Sequence, residues 1–168
     1  MLDDTQQHST WNQIVDDYGP RLYRYFLGNV AKDLAEDLVQ ETFIRLYENI
    51  ELQKYQAEKT ELQYYIFGIA RIVRLEFQRK KRRRELFHHL WKMTSEEYIV
   101  QDENDPYQHL RWAIQKLNPI EQEIILLQID QELDLQSISI LVDCPLSTVK
   151  SHIHRAKEKL RILMEVPS

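Results

Sequence analysis

The chain has one cysteine, Cys144, with three glycines and five prolines in 168 residues. A lone cysteine excludes an intrachain disulfide, and nothing in its use points to an oxidising compartment. So few breakers exclude the many tight turns that a sandwich or barrel of short strands needs, leaving an all-α protein as the expected fold class. No apolar run approaches the roughly 18–20 residues that span a bilayer, so no membrane insertion is expected. The opening MLDDTQQHSTW is acidic and polar, without the basic start and apolar stretch of a secretory signal, and a cytoplasmic location is the expectation.

Catalytic signatures are also missing. There is no nucleophile with a base beside it, no paired catalytic carboxylates and no glycine-rich phosphate loop, so no catalytic residues and no cofactor are expected and the chain does not read as an enzyme. His88 and His89 are adjacent rather than four apart on one helix face, and no cysteine or acidic pair completes a metal site. Cys144 stands beside Pro145 in a predicted turn, where a small apolar residue packs well.

Net positive charge is absent too. The formal charge is −5, which taken alone disfavours a nucleic-acid binder. The charge is segregated, however. Arg71–Arg84 carries eight basic residues against the single Glu76, while Thr94–Asp105 carries five acidic residues and no basic one. Phosphate binding follows local patches rather than the average.

What is present is clearest in Leu135–Arg161. Ile138, Leu141 and Val142 form a short apolar face, Asp143-Cys144-Pro145 interrupts it, and Val149, Ile153, Ala156 and Leu160 resume at helical spacing. That pattern is helix, turn, helix. Proline blocks continuation of the first helix, and the second is expected to start near Ser147, whose hydroxyl could accept a bond from its free N–H groups. Opposite the apolar side stand Ser147, Ser151, His154, Arg155 and Glu158, flanked by Lys150, Lys157 and Arg161. A helix of this size fits the major groove, and such groups suit base edges and phosphates. An ordinary amphipathic helix with a basic solvated face would show the same pattern.

Upstream, Trp11 to about Gly28 reads as a helix interrupted at Gly19-Pro20, with Tyr18, Leu22, Tyr25 and Phe26 on one packed side. From Lys32 to Ile50 the inward stripe is Leu34, Leu38, Thr42 and Leu46 beside Val39, Phe43 and Tyr47. Asp37, Gln40, Glu41 and Glu48 point away, with Arg45 at the border, as either a solvated face or a docking surface for a basic partner; on the residues alone the solvated face is the commoner case. Glu51–Thr60 reads as a loop. Leu62, Tyr65, Ile66, Ile69, Ala70, Val73 and Phe77 define a third helix that turns cationic, where cations can hold a phosphate backbone and Tyr64, Tyr65 and Phe67 can stack on unpaired bases. Helix-dipole stabilisation alone does not account for so long a basic run. Glu85–Asp105 reads as an acidic linker, and Leu110–Leu117 and Pro119–Leu127 as two more helices split at Asn118-Pro119.

Two strings carry a family resemblance. Asp37–Leu46, DLVQETFIRL, resembles the core-polymerase-binding helix of bacterial sigma factors, and Leu117–Leu160 resembles their promoter-reading C-terminal domain. With Ile69-Ala70-Arg71 and the basic run, they resemble the short extracytoplasmic-function (ECF) group of the sigma-70 family, in the right order over nearly the whole chain. The resemblance implies two small helical domains joined by an acidic linker. Residues 1–86 form a region 2 domain, 87–107 the linker and 108–168 a region 4 domain ending in the helix-turn-helix.

It implies core RNA polymerase and promoter DNA as partners, and the exposed two-domain layout adds the expectation that an anti-sigma protein could hold the domains together and mask both DNA surfaces. Asp37, Leu38, Gln40, Glu41, Phe43 and Arg45 would dock on the polymerase. Tyr64, Tyr65, Arg71, Arg74, Arg79, Lys80, Lys81 and Arg82 would bind and melt the minus-ten element. Ser147, Thr148, Lys150, Ser151, His154, Arg155 and Lys157 would read the minus-thirty-five element. The chain departs from the family pattern at Ile72 (usually Asn), Glu76 (Asp), Tyr65 (Trp), Ser139 (Ala) and Asp143 (Gly). An aspartate tolerates the left-handed turn that glycine serves, at some strain. A helix-turn-helix regulator that binds DNA without joining polymerase is the alternative.

Overall fold

The computed structural model describes residues 4–57, 60–90, 107–129 and 133–165. Among them are seven helices and no strand: α1 (Asp4–Leu27), α2 (Lys32–Glu51), α3 (Leu62–Leu90), α4 (Gln108–Gln115), α5 (Pro119–Ile129), α6 (Leu135–Val142) and α7 (Leu146–Glu165). No described helix is long and apolar enough to cross a membrane.

In the first half, α1, α2 and α3 close over Leu22, Tyr25, Phe26, Ala35, Leu38, Phe43, Leu46, Ile66, Phe67, Ala70 and Val73. The stripe on α2 centres on Ala35, Thr42 and Leu46 rather than on Leu34. Leu34 and Tyr47 lie roughly 100° to either side of that line at 3.6 residues per turn, and both are exposed. Tyr47 instead packs edge-on against Trp11, their rings 5.4 Å apart.

The expected interruption at Gly19-Pro20 does not occur, for α1 runs through it. Proline there forfeits one backbone hydrogen bond, but Leu22, Tyr25 and Phe26 just beyond are fully buried, and that burial holds the helix on its line. The basic run continues α3 as a helix that leaves the core after Phe77, with Arg79 to Arg84 all exposed. α3 reaches Leu90, past the expected start of the linker. Residues 91–106, most of that linker, lie outside the described residues, as do the side chains of His88 and His89.

In the second half, α5 buries Ile124, Ile125, Leu126 and Leu127 in succession. Four consecutive buried residues cover a full turn, so this helix is apolar all round and must be surrounded. α6 and α7 cover one side of it, and α1 of the first half covers another. One contiguous apolar cluster therefore runs through both halves, beside a smaller one of Leu117, Ile125 and Ala156 in the second. At their junction Gly28 leaves room for Leu126: a Cβ there would meet Leu126 Cδ2 at 2.5 Å and Ile129 Cδ1 at 3.3 Å.

Candidate nucleic-acid interface

The turn between α6 and α7 is fixed by local chemistry. The Asp134 carboxylate caps α6, accepting from Ser137 N–H at 2.7 Å and from the Ser137 hydroxyl. The Ser137 bonds hold its carboxyl below the usual carboxylate range. α6 ends at Asp143 in the left-handed conformation, φ 53° and ψ 49°, as the sequence allowed. The Cys144 N–H reaches back to the Ser139 carbonyl at 3.0 Å, which ties off the helix C-terminus. Cys144 is half-buried against the core. α7 begins at Leu146, one residue before the expected position. The Ser147 hydroxyl is not its cap; Ser151 Oγ donates to the Ser147 carbonyl at 3.0 Å inside the first turns.

Along α7, Val149, Ile153 and Ala156 are buried and pin one side to the core. Ser147, Lys150, Ser151, His154, Arg155 and Lys157 are exposed on the rest of the helix, with Thr148 half-buried at the edge. All seven residues expected to read duplex DNA thus occupy one element, six of them facing water.

Glu121 at the start of α5 is only 1% exposed, and it anchors α7. Lys159 Nζ donates to its Oε2 at 2.7 Å, while Arg155 Nε and His152 Nδ1 lie 3.9 Å from Oε1. Burial pushes the Glu121 carboxyl up, but the Lys159 hydrogen bond and charge, with the backbone N–H of Asn118 and the charge of Arg155, bring it below the usual range. The Arg155 side chain keeps 57% exposure, so its guanidinium is steered rather than consumed.

On α2, Asp37 and Gln40 are exposed and Glu41 half-buried, whereas Leu38 and Phe43 are buried in the core. Those two side chains support the ridge from beneath. Arg45 donates to Glu41 Oε1 and to Glu76 Oε2, each at 2.7 Å, bracing α2 against α3. The Arg45 bond holds Glu76 below the usual carboxylate range.

On α3, Arg79, Lys80, Lys81 and Arg82 stand in water, whereas Tyr64, Tyr65 and Arg71 of the expected minus-ten set are half-buried and Arg74 is buried. Tyr65 packs against Tyr55, with ring centroids 4.9 Å apart. Tyr64 OH donates to Ser137 Oγ of the second half at 2.9 Å, since the one hydroxyl proton of Ser137 goes to Asp134. Arg74 is 2% exposed: its Nε donates to Tyr25 OH at 3.1 Å and its Nη2 pairs with Glu123 on α5. Tyr25 OH donates in turn to Glu123 Oε1 at 2.8 Å, and Arg71 Nε lies 3.9 Å from Glu123 Oε2. Burial raises the Tyr25 phenol above its ordinary value, so it remains a donor.

Sequence reasoning missed Glu121, Glu123, Tyr25 and Ser137 as parts of the interface. The two glutamates suit the positive N-terminus of α5, which is how the sequence presents them. The signal that points further is two carboxylates two positions apart in a helix otherwise apolar all round, since buried charges need partners. Among the described residues no group of three or more His, Cys, Asp or Glu side chains is placed to hold a metal.

The family model described as Sigma-70 region 2 matches residues 14–84, and that described as Sigma-70, region 4 matches residues 108–160. The chain is 30% identical over 165 residues to the ECF RNA polymerase sigma factor SigW of Bacillus subtilis, across 88% of this chain and 85% of that one. It is 27% identical over 135 residues to the ECF RNA polymerase sigma factor EcfG of Rhodopseudomonas palustris, across 80% of this chain and 73% of that one. Among solved structures it matches the sigma factor RpoE of Bartonella quintana, determined in complex with the anti-sigma factor NepR. That match has a TM-score of 0.68 at 21% identity, over 99% of this chain and 100% of that one.

Proposed function

The chain belongs to the extracytoplasmic-function group of the sigma-70 family, and from that membership we propose a role for each of its exposed surfaces. As a sigma factor it binds core RNA polymerase and directs promoter-specific initiation. Sigma factors are regulators rather than enzymes; here nucleotidyl transfer is left to the polymerase and the chain contributes recognition alone, in the cytoplasm where the polymerase works.

Asp37, Gln40, Glu41 and Arg45 form the polymerase-docking ridge, held in shape by Leu38 and Phe43 beneath it. Tyr64, Tyr65, Arg71, Arg74, Arg79, Lys80, Lys81 and Arg82 engage the minus-ten element, the cations on phosphates and the rings on separated bases. Ser147, Thr148, Lys150, Ser151, His154, Arg155 and Lys157 read the minus-thirty-five duplex in its major groove. Residues 1–86, 87–107 and 108–168 act as region 2 domain, linker and region 4 domain, with α3 continuing across the first boundary. An anti-sigma factor is the proposed regulator, supported by the complex in which the Bartonella quintana relative was solved.

The observation that carries this reading is α7, whose buried Val149, Ile153 and Ala156 leave six of the seven expected base- and phosphate-contacting residues in water behind a well-formed turn. Core binding tests it. The double variant Asp37→Ala, Glu41→Ala is expected to bind core polymerase at least about tenfold more weakly, roughly 1.4 kcal/mol, while its binding to duplex DNA through α7 is retained. A variant that binds polymerase as wild type does would remove the ridge from the docking surface, and a wild-type chain that binds DNA but not polymerase would favour a free-standing regulator.

A further inference from the structure

Arg155 is the one arginine among the α7 residues assigned to the minus-thirty-five duplex, and two residues outside that set hold its guanidinium from one side. Its Nη2 donates to His152 Nδ1 at 3.1 Å, and its Nε lies 3.9 Å from Glu121 Oε1. His152 Nδ1 stands 3.9 Å from that same oxygen. The fold fixes the imidazole rather than the arginine, for the His152 side chain is 15% exposed and that of Arg155 57%.

Glu121 is engaged elsewhere. Its Oε2 takes the Lys159 ammonium at 2.7 Å, and 3.9 Å is too long for a hydrogen bond from Arg155. Among the described residues, His152 therefore supplies the hydrogen bond of Arg155 and Glu121 supplies an attractive field behind it. A pair three positions apart on an exposed helix face adds little to stability. Its value lies in geometry. Arginine has many rotamers, and holding it in one of them before DNA arrives removes part of the ordering cost that binding must otherwise meet.

The edge that is held decides the edge that is left. A guanidinium is a rigid fork that only donates, and Nη2 is the terminal nitrogen on the Nε side. The Nε–Nη2 edge thus faces Glu121 and His152. What remains is the end of the fork, the outer Nη2–H beside Nη1–H, whose spacing suits the O6 and N7 acceptors of guanine in the major groove. Adenine sets an amino donor beside its N7, which a group that cannot accept does not match.

We propose that His152 aims Arg155, so that α7 selects guanine at one base pair of its duplex through the end of the guanidinium fork. This rests on the reading of α7 as a duplex-reading helix and adds to it a residue that acts through another: His152 is a positioning residue, with no base contact of its own.

The test uses the full-length chain and a labelled duplex that the wild type selects from a randomised pool, each base pair of which is then replaced singly and titrated by anisotropy. Arg155→Ala locates the pair that Arg155 reads, and that pair is expected to carry guanine. His152→Leu keeps much of the bulk of the ring without its acceptor. It is expected to lower discrimination at that pair by about threefold or more and to leave the other pairs as in the wild type. His152→Asn, whose Oδ1 can stand where Nδ1 stands and accept the same bond, is expected to restore the discrimination. In the Arg155→Ala background, His152→Leu is expected to change discrimination at no pair.

A merely packed ring gives a different pattern, since its loss loosens α7 and weakens every duplex alike. That uniform loss in both His152 variants overturns the proposal, as does wild-type discrimination in His152→Leu, or an effect of His152→Leu that persists without Arg155. A pair without guanine overturns the end-on aim. If Arg155→Ala alters discrimination at no pair, or the wild type selects no duplex, the reading of α7 falls and the positioning role with it. Discrimination that depends on Arg155 and ignores His152 leaves that reading standing and removes the positioning role alone.

Discussion

Glu121 is an acid at the edge of an apolar helix, and its contribution can be isolated by pH. Its carboxyl is held below the ordinary value, so the stability it contributes is complete above about pH 4.3 and disappears as the pH falls through the lower folded-state value. Lys159 is half exposed, which limits the bond to about 1 kcal/mol. Glu121→Gln is therefore expected to cost about 1 kcal/mol at pH 7 and less at pH 3.5, where the wild type has begun to lose the same contribution. Urea denaturation at the two pH values checks this, and an equal gap between the proteins at both would contradict it. Glu123 differs, because its partner Arg74 is buried too and removal of either leaves a charge without a counterion. Neither role is visible in the sequence, since the Tyr25 that bonds Glu123 is 98 positions away. What the sequence does reveal at single residues is local: Asp143 in a left-handed turn, Pro119 opening α5, and Asn118 accepting from the Glu121 N–H at 2.9 Å.

Along α7 the expected contributions separate by type. In the proposed docking Ser151, His154 and Arg155 face the groove, and their alanine variants are expected each to lower affinity for the preferred duplex by about 1–3 kcal/mol and to relax its sequence preference. Lys150→Ala and Lys157→Ala are expected to weaken all duplexes alike and each to reduce the salt-dependence slope by about one. Anisotropy titrations over a salt series distinguish the two patterns, and a uniform loss for Arg155→Ala would return it to phosphate contact. This element was legible because its period, breaker and polar face are all encoded within 27 residues. α2 was legible in outline, but its stripe lies one residue from where the largest apolar side chains suggested, because Ala35 fits the groove that Leu34 does not enter. In α1 the proline signal was outvoted by the burial of three large side chains beyond it. The length of α3 beyond its core contacts follows from the run of good helix formers, and that extension keeps Arg79 to Arg84 in water whichever way the halves are arranged.

The arrangement of the two halves is the feature least accessible to sequence reasoning. Hydrophobic period marks α5 as a helix, and four buried residues in a row mark it as enclosed, but nothing local says that α1 of the first half supplies part of the enclosure. The glycine at position 28 becomes intelligible only once Leu126 is placed against it. Taken together, the molecule exposes α7, the tip of α3 and the α2 ridge, the surfaces proposed for DNA and for polymerase, while Arg71, Arg74 and Tyr64 make contacts at the junction. The role of the whole is tested by reconstituted transcription: core polymerase, a library of upstream DNA and this chain, added or omitted. Defined transcripts that appear only with the chain, and that vanish when Asp37 and Glu41 are both replaced by alanine, are the expected result. Transcription that is the same with and without the chain, across a library that includes its own upstream DNA, would contradict the assignment as an initiation factor.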